Sequence, residues 1–264
     1  MSVGHYENFP VASLLLPREL RVPVSVIYRF ARTADDYADE GDDAPPLRLQ
    51  KLEGFREQLR AIANPKTPLF EDLARITREH ALPLQLFHDL LDAFSQDVVK
   101  NRYADFAEVL DYSRRSANPV GRLLLHLFRK NTGENLRLSD AICSALQITN
   151  FWQDVEIDFR KNRIYLPQDD LRRFGVTENQ LARRHCDQAF RDLMRFQVDR
   201  ARRMMLEGKP LLGALSGRLR LEIAITMQGG LRILEKLEQA DYDMFRRRPV
   251  HRWFDWPLLF ARAL

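Results

Sequence analysis

The chain is poor in cysteine and lacks long apolar runs. Its 264 residues include only Cys143 and Cys186, which argues against a disulfide framework and is typical of a reducing compartment. No apolar run reaches the roughly 18 residues of a transmembrane helix. The first residues lack a basic stretch followed by an apolar one, so no signal peptide is expected. Together these absences predict a cytoplasmic protein.

Glycine-rich phosphate loops and nucleic-acid signatures are also missing. The eleven glycines form neither a GxGxxG fingerprint nor a P-loop, which disfavours a nucleotide-dependent reductive step. The net charge is +4 and the pI about 9.2, but the basic residues are scattered in short clusters such as 246–248. Without a basic tail or zinc-finger spacing, nucleic-acid binding is not expected. The positive charge suits a phosphorylated substrate or an anionic membrane surface.

What the sequence does contain is helical periodicity. Apolar residues recur every three or four positions, strand-like alternation is scarce, and no linker or repeat interrupts the pattern. We therefore predict a single all-α domain over 1–264. Helices are expected at about 24–40, 48–63, 69–80, 84–100, 105–116, from Pro119 onwards, and at 168–174.

The later helices are predicted from residues that cap or break helices. Ser139 is the expected N-cap of a long helix that ends near residue 160. Thr177 and Gln180 form a capping-box pattern, which predicts a helix extending to about residue 207. A last long helix is expected over 212–242. The aromatic tail after Trp253 breaks this pattern.

A polar stripe is predicted on the first helix. At about 100° per residue, Tyr28, Arg32, Asp35 and Asp39 fall within about 60° of one another. A second stripe is predicted on the helix 139–160, where Gln147 leads into a set of metal-binding residue types within about 80°. That set consists of Asn150, Asp154 and Asp158.

Each stripe alone has an ordinary explanation as a solvent-facing helix surface with basic partners. The second is harder to explain in this way, because its helix is otherwise apolar and unpaired buried carboxylates are very costly. Magnesium prefers oxygen ligands and usually takes one or two carboxylates plus phosphate oxygens. Two such faces predict a metal-assisted site that ionises a diphosphate, with Arg32 adding a charge-assisted contact.

The two stripes resemble the motifs of the squalene/phytoene synthase family, the trans-type head-to-head prenyl synthases. Segment 28–39, YRFARTADDYAD, is similar to the first family motif, and segment 147–158, QITNFWQDVEID, to the second. Segment 163–167, RIYLP, resembles the family segment that comes after the second motif. The resemblance covers most of the chain. It implies an isoprenoid synthase helical bundle with a central active-site cavity.

The resemblance also implies roles for individual residues. Mg²⁺ would be bound at Asp35, Asp39, Asn150, Asp154 and Asp158, with the four aspartates and Tyr28 acting in catalysis. Substrate contacts carried over by position are His5, Asn8, Tyr28, Arg32, Gln147, Gln153 and Tyr242. His5 and Asn8 belong to an N-terminal His-x-x-[Ser/Asn]-Phe pattern, and the alternative for His5 is a surface residue near the terminus.

One departure from the family pattern bears on the product. Many members carry arginine immediately before the first aspartate of the second motif, whereas this chain has Gln153. With Asn118-Pro119 and the N-terminal segment 8–13, this resembles the bacterial hopanoid-pathway branch. The expected reaction is conversion of presqualene diphosphate to hydroxysqualene with release of diphosphate. Alternatives are head-to-head condensation of two farnesyl diphosphates and a non-catalytic assembly role.

The tail is the expected membrane-facing part of the chain. Residues 250–260 mix bases with Trp253, Phe254 and Trp256. Such a segment can dock at a membrane interface, where a greasy substrate would reside, or pack on the bundle as a terminal segment. The sequence predicts a prenyl diphosphate as ligand, peripheral association with the inner membrane face as one alternative, and no nucleic acid.

Overall fold

A computed structural model describes residues 16–264, which form fourteen helices and no strand. A single isolated bridge joins Arg102 to Ile164. The all-α prediction is confirmed. The helices are α1 (Arg18–Asp39), α2 (Pro45–Arg60), α3 (Pro68–His80), α4 (Leu84–Val99), α5 (Phe106–Ser116), α6 (Asn118–Leu127), α7 (Gly133–Gln153), α8 (Val155–Arg160), α9 (Gln168–Phe174), α10 (Glu178–Ala182), α11 (Gln188–Glu207), α12 (Leu211–Ala214), α13 (Gly217–Gln239) and α14 (Asp255–Ala263).

The described chain forms two compact units. The first comprises residues 16–100 and 114–136, and the second comprises 101–113 and 137–264. Helices α5 and α7 cross the boundary. The prediction of one domain stays a prediction.

The first unit packs around a cluster of phenylalanines. Phe30 of α1 is fully buried and contacts the rings of Phe55, Phe70 and Phe87, with centroids 5.2 to 6.0 Å apart. These rings come from four helices, and most of them meet at tilted or edge-to-face angles, which aromatic pairs prefer. The cluster fixes α1, and with it the first predicted motif, against α2, α3 and α4.

The second unit depends on close helix contacts at two glycines. A Cβ at Gly208 would lie 2.7 Å from the Leu138 carbonyl oxygen and would clash with Ile142 of α7. A Cβ at Gly230 of α13 would lie 2.8 Å from the Leu146 side chain. Glycine is therefore needed at position 208, where the end of α11 meets the backbone of α7, whereas at position 230 side-chain ends would have to shift to admit a Cβ. This packing holds the helix that carries the second motif.

Three features of the helices that carry the motifs differ from the predictions. Helix α1 begins at Arg18, six residues earlier than predicted, and includes Pro23. Ser139 is not an N-cap: α7 begins at Gly133 and Ser139 lies inside it. The predicted helix to residue 160 is interrupted at Asp154, whose backbone angles are −107° and 15°.

Two further predictions about helices were wrong downstream. Thr177 does cap α10, accepting a hydrogen bond from the Gln180 amide at 3.2 Å. That helix nevertheless ends at Ala182, and Asp187 caps a new helix that runs to Glu207. The predicted helix 212–242 is likewise divided, by an extended Leu215 and Ser216. The aromatic tail forms the additional helix α14.

No helix within residues 16–264 is long and apolar enough to cross a membrane.

Candidate active site

The first motif lies on α1, where Tyr28, Arg32, Asp35 and Asp39 are all half-buried. At about 100° per residue, positions 28, 32, 35 and 39 fall on one face of α1, and the buried Phe30 lies on the opposite side of the helix. The predicted stripe is therefore present in the folded chain. It is neither fully exposed nor part of the phenylalanine core.

Arg32 neutralises part of this acidic face. Its guanidinium lies 3.3 Å from the Asp35 carboxylate and 2.7 Å from that of Asp36, with Glu40 at 3.8 Å. The exposed fractions of these side chains, 24% to 52%, mean that solvent screens the pairs. Their main effect is thus on orientation rather than on stability. The Arg32 guanidinium thus keeps the Asp35 and Asp36 carboxylates close to it.

The second motif lies on α7 and α8. Asn150, Asp154 and Asp158 are half-buried. The Asp154 amide donates to the Asn150 carbonyl and the Asp158 amide to the Asp154 carbonyl, both at 2.9 Å. These bonds keep the one-turn spacing of the three residues through the interruption at Asp154. The stripe thus survives although the helix is not continuous.

Asp154 has a partner that the sequence did not indicate. Arg248 contacts it through two parallel bonds, from Nε to Oδ1 and from Nη2 to Oδ2, the second at 3.1 Å. Both side chains are about one quarter exposed. A bidentate arginine–carboxylate pair fixes geometry as well as charge. The first aspartate of the second motif is therefore held by a cation from the C-terminal segment.

Gln153, the residue before Asp154, is tied to the same segment. Its side chain is only 2% exposed, and its Nε2 atom donates a hydrogen bond to the Pro249 carbonyl. Its Oε1 atom is buried without a hydrogen-bond partner in the described part of the chain. Two consecutive residues at the end of α7 thus bind two consecutive residues of the C-terminal segment. We call this pair of contacts, Gln153–Pro249 and Asp154–Arg248, the clasp.

Stacked aromatic rings pack against the second motif. Phe151 stacks on Tyr165 with centroids 3.6 Å apart and ring planes 4° from parallel. Tyr165 belongs to the segment RIYLP, and Asp158 lines a small cavity of about 10 Å³ beside these two rings. Such a cavity is large enough for about one water. The RIYLP segment therefore packs directly under the second motif.

The remaining predicted substrate residues lie at separate places along the chain. Gln147 is half-buried on α7. Tyr242 is buried, with the Arg195 guanidinium 5.7 Å from its ring centroid, and burial raises the pKa of its hydroxyl. It therefore stays protonated at neutral pH. His5 and Asn8 lie outside the described residues.

The donor chemistry of both motifs fits Mg²⁺. Carboxylate and amide oxygens are the ligands this ion takes, and the pairs are one helical turn apart. Within residues 16–264, no group of three or more His, Cys, Asp and Glu side chains is arranged to hold a metal ion. A Mg²⁺ ion bound by one or two carboxylates completes its shell with water and phosphate oxygens, so a pair per motif suffices.

The all-α architecture is that of isoprenoid synthase-type helical proteins. The chain matches the squalene/phytoene synthase family over residues 3–255. It therefore belongs to that family, and the predicted resemblance is confirmed.

The relatives that the chain resembles carry the names of different activities. The chain is 35% identical to hydroxysqualene synthase of Zymomonas mobilis subsp. mobilis, over 90% of this chain and 81% of the relative. It is also 35% identical to phytoene synthase of Mycobacterium tuberculosis, over 74% of this chain and 65% of the relative. Among solved structures, squalene synthase HpnC of Alicyclobacillus acidocaldarius is 36% identical, with a TM-score of 0.85 over 90% of each chain.

Arg248 and Pro249 are the site residues that sequence reasoning missed. The only signal was the arginine cluster 246–248, which indicated charge but no partner. Arg248 lies 94 residues from Asp154 along the chain, so no local spacing links them. Gln153 was singled out for its identity, and its contact with Pro249 was likewise not predictable.

Proposed function

We propose that this family member converts presqualene diphosphate to hydroxysqualene in a Mg²⁺-dependent reaction that releases diphosphate. The carbon–oxygen bond to the diphosphate breaks, the cyclopropylcarbinyl cation rearranges, and a water oxygen bonds to carbon with loss of a proton. The observation that carries the proposal is the neutral, buried Gln153 beside Asp154. The identity with a hydroxysqualene synthase over most of both chains supports the same reading.

The two motifs provide the groups that ionisation requires. Bound Mg²⁺ would stabilise the negative charge that develops on the leaving diphosphate. Asp35 and Asp39 on α1, and Asp154 and Asp158 with Asn150, are the residues that would hold it. Arg32, already positioned among carboxylates, would donate charge-assisted hydrogen bonds to the diphosphate.

Other residues would act on the organic part of the substrate. The half-buried Tyr28 would present a ring face to the cation, an interaction that aromatic rings favour. Gln147, Tyr242, His5 and Asn8 would contact the substrate.

Gln153 would orient the water that captures the cation. Its Nε2 atom is committed to the Pro249 carbonyl, so this role falls to the buried Oε1 atom, which accepts no hydrogen bond from the described chain. The absence of a positive charge at this position would also disfavour a second allylic diphosphate. The clasp would hold the amide in place.

Head-to-head condensation of two farnesyl diphosphates, to presqualene diphosphate or squalene, is the rival activity. The 35% identity to a phytoene synthase supports condensation as the second candidate activity. A non-catalytic assembly role is disfavoured because all four motif aspartates are present. We further propose that the protein is cytoplasmic and associates peripherally with the membrane in which its substrate and product partition.

The decisive experiment is incubation with presqualene diphosphate and Mg²⁺, followed by mass analysis of the C30 product. Hydroxysqualene and free diphosphate are expected. Formation of C30 products from farnesyl diphosphate alone would favour condensation, and no diphosphate release from any C15 or C30 diphosphate would favour the assembly role.

Position 153 is tested by two substitutions. Gln153→Met keeps the side-chain volume and removes the polar atoms, so the hydroxylated fraction of the product should fall while diphosphate release continues. Gln153→Arg places a charge in a buried position next to Arg248, so its folding must be checked first by thermal melting. Unchanged hydroxysqualene formation in both folded variants would show that position 153 does not decide the product.

A further inference from the structure

The C-terminal segment 246–264 concentrates positive charge and exposed aromatic rings. It contains five arginines and one acid, Asp255, whereas the whole chain has a net charge of only +4. Asp255 is 1% exposed and is bound by Arg232 and Lys236, so its charge does not reach the surface. The exposed part of the segment is therefore strongly cationic.

Four aromatic side chains stand out from this segment into solvent. Trp253 is 82% exposed, Trp256 and Phe254 are each 49% exposed, and Phe260 is 44% exposed. Trp256 and Phe260 lie on α14 beside its buried residues Leu259 and Ala263, whereas Trp253 and Phe254 immediately precede the helix. Trp253 contacts Phe254 at 5.8 Å, and Trp256 contacts Phe260 at 6.4 Å, measured between ring centroids. The four rings thus form two pairs within residues 253–260, and we call these two pairs together the aromatic patch.

A cationic cavity of about 190 Å³ opens beside the patch, between the C-terminal half of α13 and residues 247–254. Its lining includes Arg232, Lys236, Arg247, Arg248, Arg252 and Phe254. The cavity has room for several waters, and hence for a phosphate group.

Most of the cations around this cavity are already compensated. Arg232 and Lys236 contact Asp255, and Arg248 contacts Asp154. Arg247 and Arg252 are exposed, and neither forms an ion pair within the described part of the chain. Two uncompensated arginines therefore face a cavity of phosphate size at the edge of an aromatic patch.

We propose that this surface, formed by Arg247, Arg252, Trp253, Phe254, Trp256 and Phe260, docks the enzyme on an anionic phospholipid bilayer. Tryptophan and phenylalanine rings prefer the interfacial zone of a membrane, and arginines beside them are attracted to its negative surface. The cavity accepts a lipid phosphate between Arg247 and Arg252. We call it the docking surface.

The position of the docking surface gives it a functional consequence. Arg248 lines the cavity and also belongs to the clasp on the second motif. The Arg248 side chain would therefore connect the membrane-facing cavity to the Asp154 carboxylate. The reason for docking rests on the proposed function, since an apolar C30 substrate resides in the membrane, but the binding itself requires no turnover.

The tryptophans provide a direct readout. The chain has three, and Trp152 is fully buried. A change in intrinsic fluorescence on vesicle addition therefore reports on Trp253 and Trp256. With vesicles of phosphatidylcholine containing phosphatidylglycerol, we expect co-sedimentation of the full chain and a blue shift of the emission. Binding should weaken as salt is raised, because the surface attraction is screened within a Debye length. Vesicles of phosphatidylcholine alone should bind far less.

Paired variants distinguish binding through the docking surface from non-specific electrostatic binding. Arg247→Ser with Arg252→Ser should weaken binding to the anionic vesicles about 25-fold, at about fivefold per arginine. The charge-matched control is Arg203→Ser with Arg218→Ser, two arginines that are also exposed in this unit, and it should bind like the parent to within about fivefold.

The aromatic contribution is tested in the same way. Trp253→Ser with Trp256→Ser should abolish the blue shift and weaken binding at least about tenfold. The control Val99→Ser with Leu206→Ser removes apolar side chains that are 68% and 45% exposed elsewhere, and should leave binding unchanged.

Several results would overturn the proposal. They are an absence of binding to anionic vesicles, equal binding to both vesicle types, and variants that behave like their controls. Self-association in light scattering that the tryptophan variants abolish, without vesicle binding, would identify a second copy of the chain as the occupant. An enzyme that binds vesicles but leaves presqualene diphosphate intact would refute the proposed function and leave docking standing.

Discussion

Asp255 is the point at which the C-terminal segment is fixed to α13, and its replacement gives the sharpest stability test. The carboxylate is buried and accepts hydrogen bonds from Arg232 Nε at 2.9 Å, from the Arg252 amide at 2.7 Å, and from Lys236. Burial alone would raise the pKa of this carboxyl, but the bonds to Lys236, the Arg252 amide and Arg232 outweigh it. The pKa of Asp255 is therefore held well below its usual range.

Asp255→Asn removes the charge and keeps the shape. It leaves Lys236 and Arg232, 13% and 16% exposed, facing a neutral amide. Breaking a buried pair costs about 3–5 kcal/mol. Arg232 also contacts Glu235 at 2.8 Å, so we expect the lower end, about 3 kcal/mol. At about 2–4 °C per kcal/mol for a chain of this size, Tm should fall by about 6–12 °C.

The loss should also depend on pH. Because the pKa of Asp255 is lower in the folded protein than in the unfolded one, the carboxylate stabilises the fold fully above about pH 4. As the pH falls below about 4, that contribution is progressively lost. The Tm difference between the parent and Asp255→Asn should therefore be constant near neutrality and shrink in acid.

The measurement is thermal unfolding by circular dichroism from pH 7 to pH 3. The control is Asp192→Asn, which removes an exposed pair with Arg195 and should cost less than about 1 kcal/mol. A Tm for Asp255→Asn within about 2 °C of that control would refute the reasoning, at the scale given above. So would a difference between parent and variant that stays the same at all pH values.

Three further predictions concern packing and the second motif. Gly208→Ala should lower the free energy of unfolding by about 1–3 kcal/mol, measured by thermal melting, because the new Cβ would clash with α7. The control Gly54→Ala, with open space around its Cβ, should be neutral or slightly stabilising. Equal effects of the two substitutions would contradict the packing argument. Asp154→Asn should lower kcat/KM about 10²–10³-fold with Tm changed by only a few degrees, and near-normal turnover would remove Asp154 from the site. Arg248→Gln should strengthen Mg²⁺ binding to the substrate-free protein about 5–30-fold in calorimetry, since a competing cation leaves Asp154; unchanged affinity would show that the pair does not compete with metal.

The helical architecture could be predicted from the sequence because apolar periodicity is a local property. The bounds of α3, α4 and α5 agree with the prediction to within one residue at each end. The errors fall where tertiary contacts decide. Asp187 accepts a hydrogen bond from the Phe190 amide and so starts α11 afresh, and only the fold reveals that this cap overrides the periodic pattern before it.

The candidate site was predictable to the same extent. The aspartate pairs were found because their spacing of four residues is visible in a single helix turn. Their cationic partner was not, since Arg248 lies 94 residues beyond Asp154. The buried state of Gln153 also depends on Pro249, 96 residues further on. Residue identity predicted a role for position 153 in the reaction, whereas its contact with a distant segment is visible only in the fold.

The clasp has a practical meaning for anyone who alters the end of this chain. Shortening the protein before residue 246 would remove the partners of both Gln153 and Asp154 at once. The motif would keep every one of its own residues and still lose its preset charge and orientation. A bulky C-terminal tag that displaces α14 would disturb the same two contacts, Gln153–Pro249 and Asp154–Arg248. Loss of activity in a shortened or tagged protein would therefore say little about its carboxylates.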